Sequence, residues 1–269
     1  MTVSAMIPTT LAFLSNGEDA SNALFRWIHI VAGVIWIGHL YFFNFVNAEL
    51  AKTYDADSKK KVIPELMPRA LYWFRWGAAW TWITGVLLLA ILYWHQDNFG
   101  AGGPKGALVA FLLIVVAFVI YDQIAKAMAK QPMAALWVWY AVVFAFAYVL
   151  SACEFFGASP RGAYIHTGAM LGTAMAANVW MRIWPCQKRI ITAIKAGTAP
   201  DPADPALAGM RSKHNTFMSV PLLFLMLNVH VPFTGVSFGE PWQWILGTLV
   251  VGYFGTQWLY KVSTKVKGF

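Results

Sequence analysis

The sequence predicts an all-α, polytopic membrane protein, and three observations carry that reading. Of 269 residues, 59% are hydrophobic and only 12% charged, about half the charge that solvates an average soluble domain. Apolar stretches near the ~20 residues that cross a bilayer recur between loops rich in Gly and Pro. The basic residues fall in alternate loops, as they do in proteins oriented by a membrane. Mean hydropathy is +0.55. A soluble globule is excluded, and the length leaves no room for a large soluble appendage.

Residues 1–21 read as a short N-terminal periplasmic segment. Its apolar patch, Leu11 to Leu14, lacks a basic flank and a small-residue cleavage site, so it is not read as a cleaved signal. Residues 22–269 read as one transmembrane domain of about seven helices, at 22–47, 70–94, 106–128, 134–156, 162–184, 215–233 and 241–262. The breakers between them include the run 98–104, the run 157–160, and Pro200, Pro202 and Pro205. Sixteen of the 20 basic residues lie in the loops after the first, third and fifth segments and in the tail, three lie on the other side, and Arg75 falls inside the second segment. That split puts the N-terminus outside and the C-terminus in the cytoplasm of a bacterial inner membrane. The net charge of +8 then belongs to topology and to anionic lipid, and nucleic acid is not implied. Cys153 and Cys186 form no CxxC or CxxCH pattern, which excludes covalent c-type haem and zinc-cysteine sites within the chain. No inverted repeat or matched pair of broken helices suggests a transporter.

All six histidines fall in or at the ends of these segments, and ionisable groups at membrane depth are costly and usually functional. Counting along the helices puts His29, His95, His166 and His230 toward the outer face. His39 lies about 15 Å deeper than His29, and His214 stands at the cytoplasmic start of the sixth segment. Neutral imidazoles on facing helices suit axial ligation of one or two b-type haems. The expectation is a haem-binding four-helix core from segments 1, 2, 5 and 6, with Gly33, Gly168 and Gly172 letting a flat macrocycle approach the backbone. The plainer alternatives are hydrogen-bonded or interfacial histidines and Gly faces that merely pack helices. A non-haem iron or copper site would also accept several imidazoles.

Arg75, Asn178 and Arg182 are candidates for binding substrate. With His214 and Asn215 they predict a polar, cationic pocket open to the cytoplasm, whose natural occupant is an anion. Arg75 needs a partner at that depth: a haem propionate, an anionic substrate or Asp122. Of 14 tryptophans, Trp27, Trp94, Trp137, Trp184 and Trp242 sit where interfacial aromatic belts are expected.

Several motifs together carry a resemblance. They are Arg26-Trp-x-His29-Ile-x-Ala-Gly-Val-x-Trp36-Ile-Gly, Met67-Pro-Arg-Ala-Leu-Tyr-Trp-Phe-Arg75-Trp-Gly, His166-Thr-Gly-Ala-Met, Ala177-Asn-Val-Trp-Met-Arg-Ile-Trp-Pro and Arg211-Ser-x-His214-Asn-Thr. From about 22 to 262 the chain resembles the membrane domain of the bacterial membrane-bound urate hydroxylase (urate oxidase) family. The first motif is also similar, more distantly, to the first helix of membrane protoporphyrinogen oxidases. The resemblance implies oxidation of urate to 5-hydroxyisourate without peroxide release, with electrons leaving through a cytochrome c. The family's usual C-terminal cytochrome c domain is not found here, so a separate periplasmic cytochrome c or another respiratory subunit is the expected partner. On this reading Arg75, Arg182 and Asn178 hold urate near an inner haem on His39 or His214, and an outer haem sits among His29, His166, His230 and His95. A haem-b electron-transfer subunit of a respiratory complex and a cofactor-free structural subunit are the alternatives.

Overall fold

The computed structural model describes residues 17–228 and 240–266, and His230 and the first sixteen residues lie outside them. Among the described residues every regular element is helical. Helix α1 (Gly17–Tyr41) runs through a π-helical stretch, Phe42–Asn47, into Ala48–Leu50; α2 (Ala56–Leu89) ends in a second one, Ala90–His95. Then come α3 (Gly103–Ala127), α4 (Pro132–Ala152) and α5 (Pro160–Asn178). A third π-helical stretch, Val179–Ile183, joins α5 to α6 (Trp184–Lys195), followed by α7 (Ala203–Asn228) and α8 (Pro241–Ser263).

Local chemistry fixes the starts. The Asp55 side chain accepts from the Ser58 N–H at 2.7 Å and begins α2. Ser159 does the same for α5 through Gly162 at 3.1 Å, and a capping box between Glu240 and Gln243 opens α8. Each leaves one fewer orphan N–H at a helix end. Proline occupies the first turn of α3, α4, α5 and α8, where its missing N–H costs nothing.

The helices begin earlier than hydropathy alone predicts. α2 starts at Ala56 instead of 70, and α7 at Ala203 instead of 215. These extra turns are polar, so an apolar pattern cannot see them. The long fifth loop likewise contains α6, an amphipathic helix. Four helices are long and apolar enough to cross a membrane, reaching from α1 to α4. The remaining three expected spans fold as α5, α7 and α8, which fall short in apolarity among the described residues. For α5 the reason is shelter: eleven of its residues are buried against neighbours and need no apolar face for lipid.

The four histidine-bearing helices touch in a ring: α1 on α2, α2 on α5, α5 on α7 and α7 on α1, while α3, α4 and α8 pack outside. Close crossings depend on glycine. A Cβ at Gly77 of α2 would lie 3.0 Å from the Trp36 backbone N and 3.1 Å from the Ala32 carbonyl of α1. Backbone cannot yield as a side chain can, so Gly77→Val should cost about 1–3 kcal/mol. Gly247→Val, where nothing lies within 4 Å, should leave the detergent-solution melting temperature near wild type.

At one end the loops 96–102 and 153–159 clasp each other. Ala101 N–H donates to the Gly157 carbonyl at 2.8 Å and Ser159 N–H to the Phe99 carbonyl at 2.7 Å. A Cβ at Gly102 would fall 2.0 Å from the Phe156 carbonyl, so the clasp needs glycine there. At the opposite, basic end, Arg189 of α6 pairs with Asp204 of α7. That hydrogen bond holds the Asp204 carboxyl below its ordinary value of 3.8. Its stabilisation is therefore complete above pH 3.8 and lost as pH falls through the lowered value. Acidification into that range should speed amide exchange in residues 196–202, and Asp204→Asn should do so at neutral pH.

Candidate functional site

Two polar regions stand out, one at each end of the ring of histidine-bearing helices. At the basic end, Asp122 of α3 is the hub. Its Oδ1 accepts from Arg182 Nε and from Arg211 Nη2, both at 2.8 Å. Its Oδ2 accepts from Arg182 Nη2 at 2.6 Å and Lys126 Nζ at 2.7 Å. Arg211 is 0% exposed, so this carboxylate is what makes its burial tolerable.

The hydrogen bonds beyond the hub can be assigned by direction alone. His214 Nε2 meets the Pro132 carbonyl at 2.7 Å, which can only accept, so Nε2 carries the proton. His214 Nδ1 then accepts from the Tyr121 hydroxyl at 2.9 Å. Tyr121 in turn accepts from Asn178 Nδ2 at 3.0 Å, and the same amide group donates to Asn215 Oδ1 at 2.8 Å. Arg211 Nη1 donates to Asn178 Oδ1 at 3.4 Å, and Asn215 Nδ2 to the Met175 carbonyl at 3.0 Å. Tyr121, Asn178, His214 and Asn215 are all fully buried, and satisfied networks of this kind fix a unique packing.

The predicted pocket of Arg75, Asn178, Arg182, His214 and Asn215 thus divides. Asn178, His214 and Asn215 come together in the buried network, whereas Arg182, its side chain 28% exposed, joins it only through Asp122. Asp122 serves Arg182, Arg211 and Lys126 instead of Arg75. The Arg75 guanidinium instead lies 3.9 Å from the Trp184 ring centroid and 5.8 Å from those of Trp180 and Tyr72, a cation–π box. The Trp180 indole N–H donates to the Arg75 carbonyl at 2.9 Å, and Arg75 Nε is buried with no partner. No carboxylate pairs with Arg75 among the described residues. Trp184, expected as an interfacial belt residue, is the floor of this box.

At the clasped end, His166 of α5 is 0% exposed. Its Nδ1 donates to the Gly162 carbonyl one turn back at 2.9 Å. Its Nε2 is buried with no hydrogen-bond partner. The Tyr93 and Phe99 rings stand edge-on to the imidazole, 5.2 and 4.9 Å away, and Phe99 is held there by the loop clasp. His29 of α1 donates through Nδ1 to Thr84 Oγ1 at 3.2 Å, since that hydroxyl itself donates to the Trp80 carbonyl at 2.6 Å. Gly85 makes room for this ring, for a Cβ there would be 3.1 Å from His29 Cε1. His39 Nδ1 donates to the Ile35 carbonyl at 2.7 Å. His95 is exposed at the end of α2.

This frame has a match. The family model described as Urate oxidase N-terminal covers residues 17–266. The chain belongs to the urate oxidase N-terminal family. No curated protein and no solved structure matches it. The match spans every described helix, so both polar regions lie inside the urate oxidase N-terminal region.

For a haem, the fit rests on the histidines. A neutral imidazole with Nδ1–H fixed on a carbonyl and a dry, unpartnered Nε2 lone pair is how a protein presents a ligand to a metal, and His166 has this arrangement. His39 has the same carbonyl anchoring of Nδ1, and His29 anchors its Nδ1 on the Thr84 hydroxyl oxygen. His214 does not fit, because both of its nitrogens are used within the protein. For the alternative of a bare metal ion, no cluster of three His, Cys, Asp or Glu occurs among the described residues.

Sequence reasoning missed Tyr121 and Arg211 as members of the polar cluster. A signal was present: Arg211, His214, Asn215 and Ser219 follow helical spacing, so one face of α7 is polar where an apolar one would be ordinary.

Proposed function

We propose that this urate oxidase N-terminal family member is a haem-b membrane oxidoreductase that hydroxylates urate to 5-hydroxyisourate. Its electrons then go to a periplasmic cytochrome c. The reaction adds the oxygen of water to urate and releases two electrons and two protons, so an acceptor such as the cytochrome is required. The observation that carries the reading is the buried, unpartnered Nε2 of His166, in a helix ring that bears all the described histidines. His166, with His29 and with His230 and His95 as further candidates, would hold an outer haem, and His39 an inner one. Bound haem would accept electrons one at a time.

The chain's own groups handle the anion. Arg75 supplies a positive charge without a carboxylate, beside aromatic faces on which a planar purine can stack. Asn178 and Arg182 act behind it by fixing the end of α5 through Asp122 and Tyr121. The cluster holds one carboxylate against three cations, which leaves this end of the bundle positive and favours entry of an anion. Seven spans, with the N-terminus outside and the basic loops in the cytoplasm, complete the arrangement.

The direct test is a reduced-minus-oxidised absorption spectrum of the purified chain with urate as sole reductant. A b-type signal supports the proposal. Haem reduced by dithionite and not by urate would make the chain an electron-transfer subunit, and no haem would overturn the mechanism. Within a haem-loaded protein, Arg75→Ala should raise the urate concentration for half-maximal reduction roughly tenfold to hundredfold with haem content unchanged. Arg75→Lys should not restore it, because an ammonium lacks the planar face that stacks on Trp184.

A further inference from the structure

A cleft of about 420 Å³ opens at the basic end between α7, α8 and the start of α4, and no residue of the mechanism above lines it. Its floor is Phe217, 1% exposed, and its walls are Phe254 and Trp258 of α8, 58% and 63% exposed. Lys213 and Lys261 stand at its rim. The Lys213 ammonium lies 5.4 Å from the Tyr260 ring centroid, and Tyr260 is itself fixed by donating to Asn44 Oδ1 at 2.9 Å. No carboxylate lines the cleft. The larger cleft on α2 differs in this respect: its Arg69 is already paired with Glu65 at 2.6 Å.

We propose that this cleft seats one anionic glycerophospholipid. Three observations fit that occupant together. Two cations without carboxylates match the headgroup phosphate. An aromatic wall of Trp258 and Tyr260 lies beside them, at the depth where headgroups meet acyl chains. Val251, Phe254 and Trp258, spaced i, i+3 and i+7, continue from the cleft as an exposed apolar stripe along α8, which is a track for an acyl chain. Basic pockets between helices at the cytoplasmic side are a recurrent form of lipid headgroup site. The seat is independent of the urate reading.

The test is native mass spectrometry of the full chain in neutral detergent, with equimolar phosphatidylglycerol and phosphatidylcholine of matched chains. One phosphatidylglycerol should be retained in preference, by about tenfold. Lys213→Gln/Lys261→Gln should bring the ratio near one with the helical circular dichroism unchanged, whereas Lys188→Gln/Lys195→Gln on α6 should keep the preference. Trp258→Ala should lower retention of both lipids. Equal retention by the wild type, or a preference that survives Lys213→Gln/Lys261→Gln, would overturn the seat.

Discussion

His166→Ala protein, purified with its helices intact by circular dichroism, is expected to lose the outer b-type haem absorption altogether. The reason is local. His166 is the one described histidine whose free nitrogen is fully buried and unpartnered, so on the proposed reading alanine removes a haem ligand, and the rings beside it, Tyr93 and Phe99, offer no imidazole in its place. His29→Ala should bleach the same signal. Truncating a buried ring also costs roughly 2–5 kcal/mol of stability, so a folding failure must be separated from loss of a ligand. Imidazole added to the His166→Ala protein does this, because it restores a ligand and not a fold. A spectrum unchanged in both variants would discard the ligand assignment.

The second large effect is expected at Asp122. Asp122→Ala leaves Arg211, 0% exposed, as a buried cation without a counter-charge, which costs about 3–5 kcal/mol. The companion changes should separate by burial. Lys126, at 51% side-chain exposure, should cost about 1 kcal/mol or less when changed to Met, since solvent already screens it. Arg211→Met on its own should cost far more, and Asp122→Asn combined with Arg211→Met should recover part of the Asp122→Ala loss, because the buried cation left unpaired by that change is gone. Thermal unfolding in detergent reads all four. Equal losses from Lys126→Met and Arg211→Met would show that burial does not govern this cluster.

What could be read from the chain follows the physics of each signal. Long apolar runs identified α1 to α4, because these helices face lipid and must be apolar on most sides. α5 was also marked by its apolar run, though a sheltered helix carries more small and polar residues than one facing lipid. The basic ends of α2 and α7 and all of α6 escaped notice because helices outside the hydrocarbon need only caps and spacing, not hydropathy. The contact of segments 1, 2, 5 and 6, now α1, α2, α5 and α7, was legible because polar side chains in a bilayer turn toward one another. Which of those polar residues are spent was not. Asn178 and Arg182 look available in the sequence, and only the positions of Tyr121, Asp122 and Arg211, brought from two other helices, reveal that they are engaged.

The π-helical stretches at 42–47, 90–95 and 179–183 bear on how this family can vary. A π turn is an α-helix carrying one surplus residue, and all three lie in helices of the histidine ring. Loss of a single residue inside one of them would restore a plain α-helix and leave the preceding turns, with His29 or His166, in place. The same loss a few turns earlier would rotate everything beyond it by about 100°. Length changes among relatives should therefore concentrate at these three stretches, which act as expansion joints in an otherwise fixed frame.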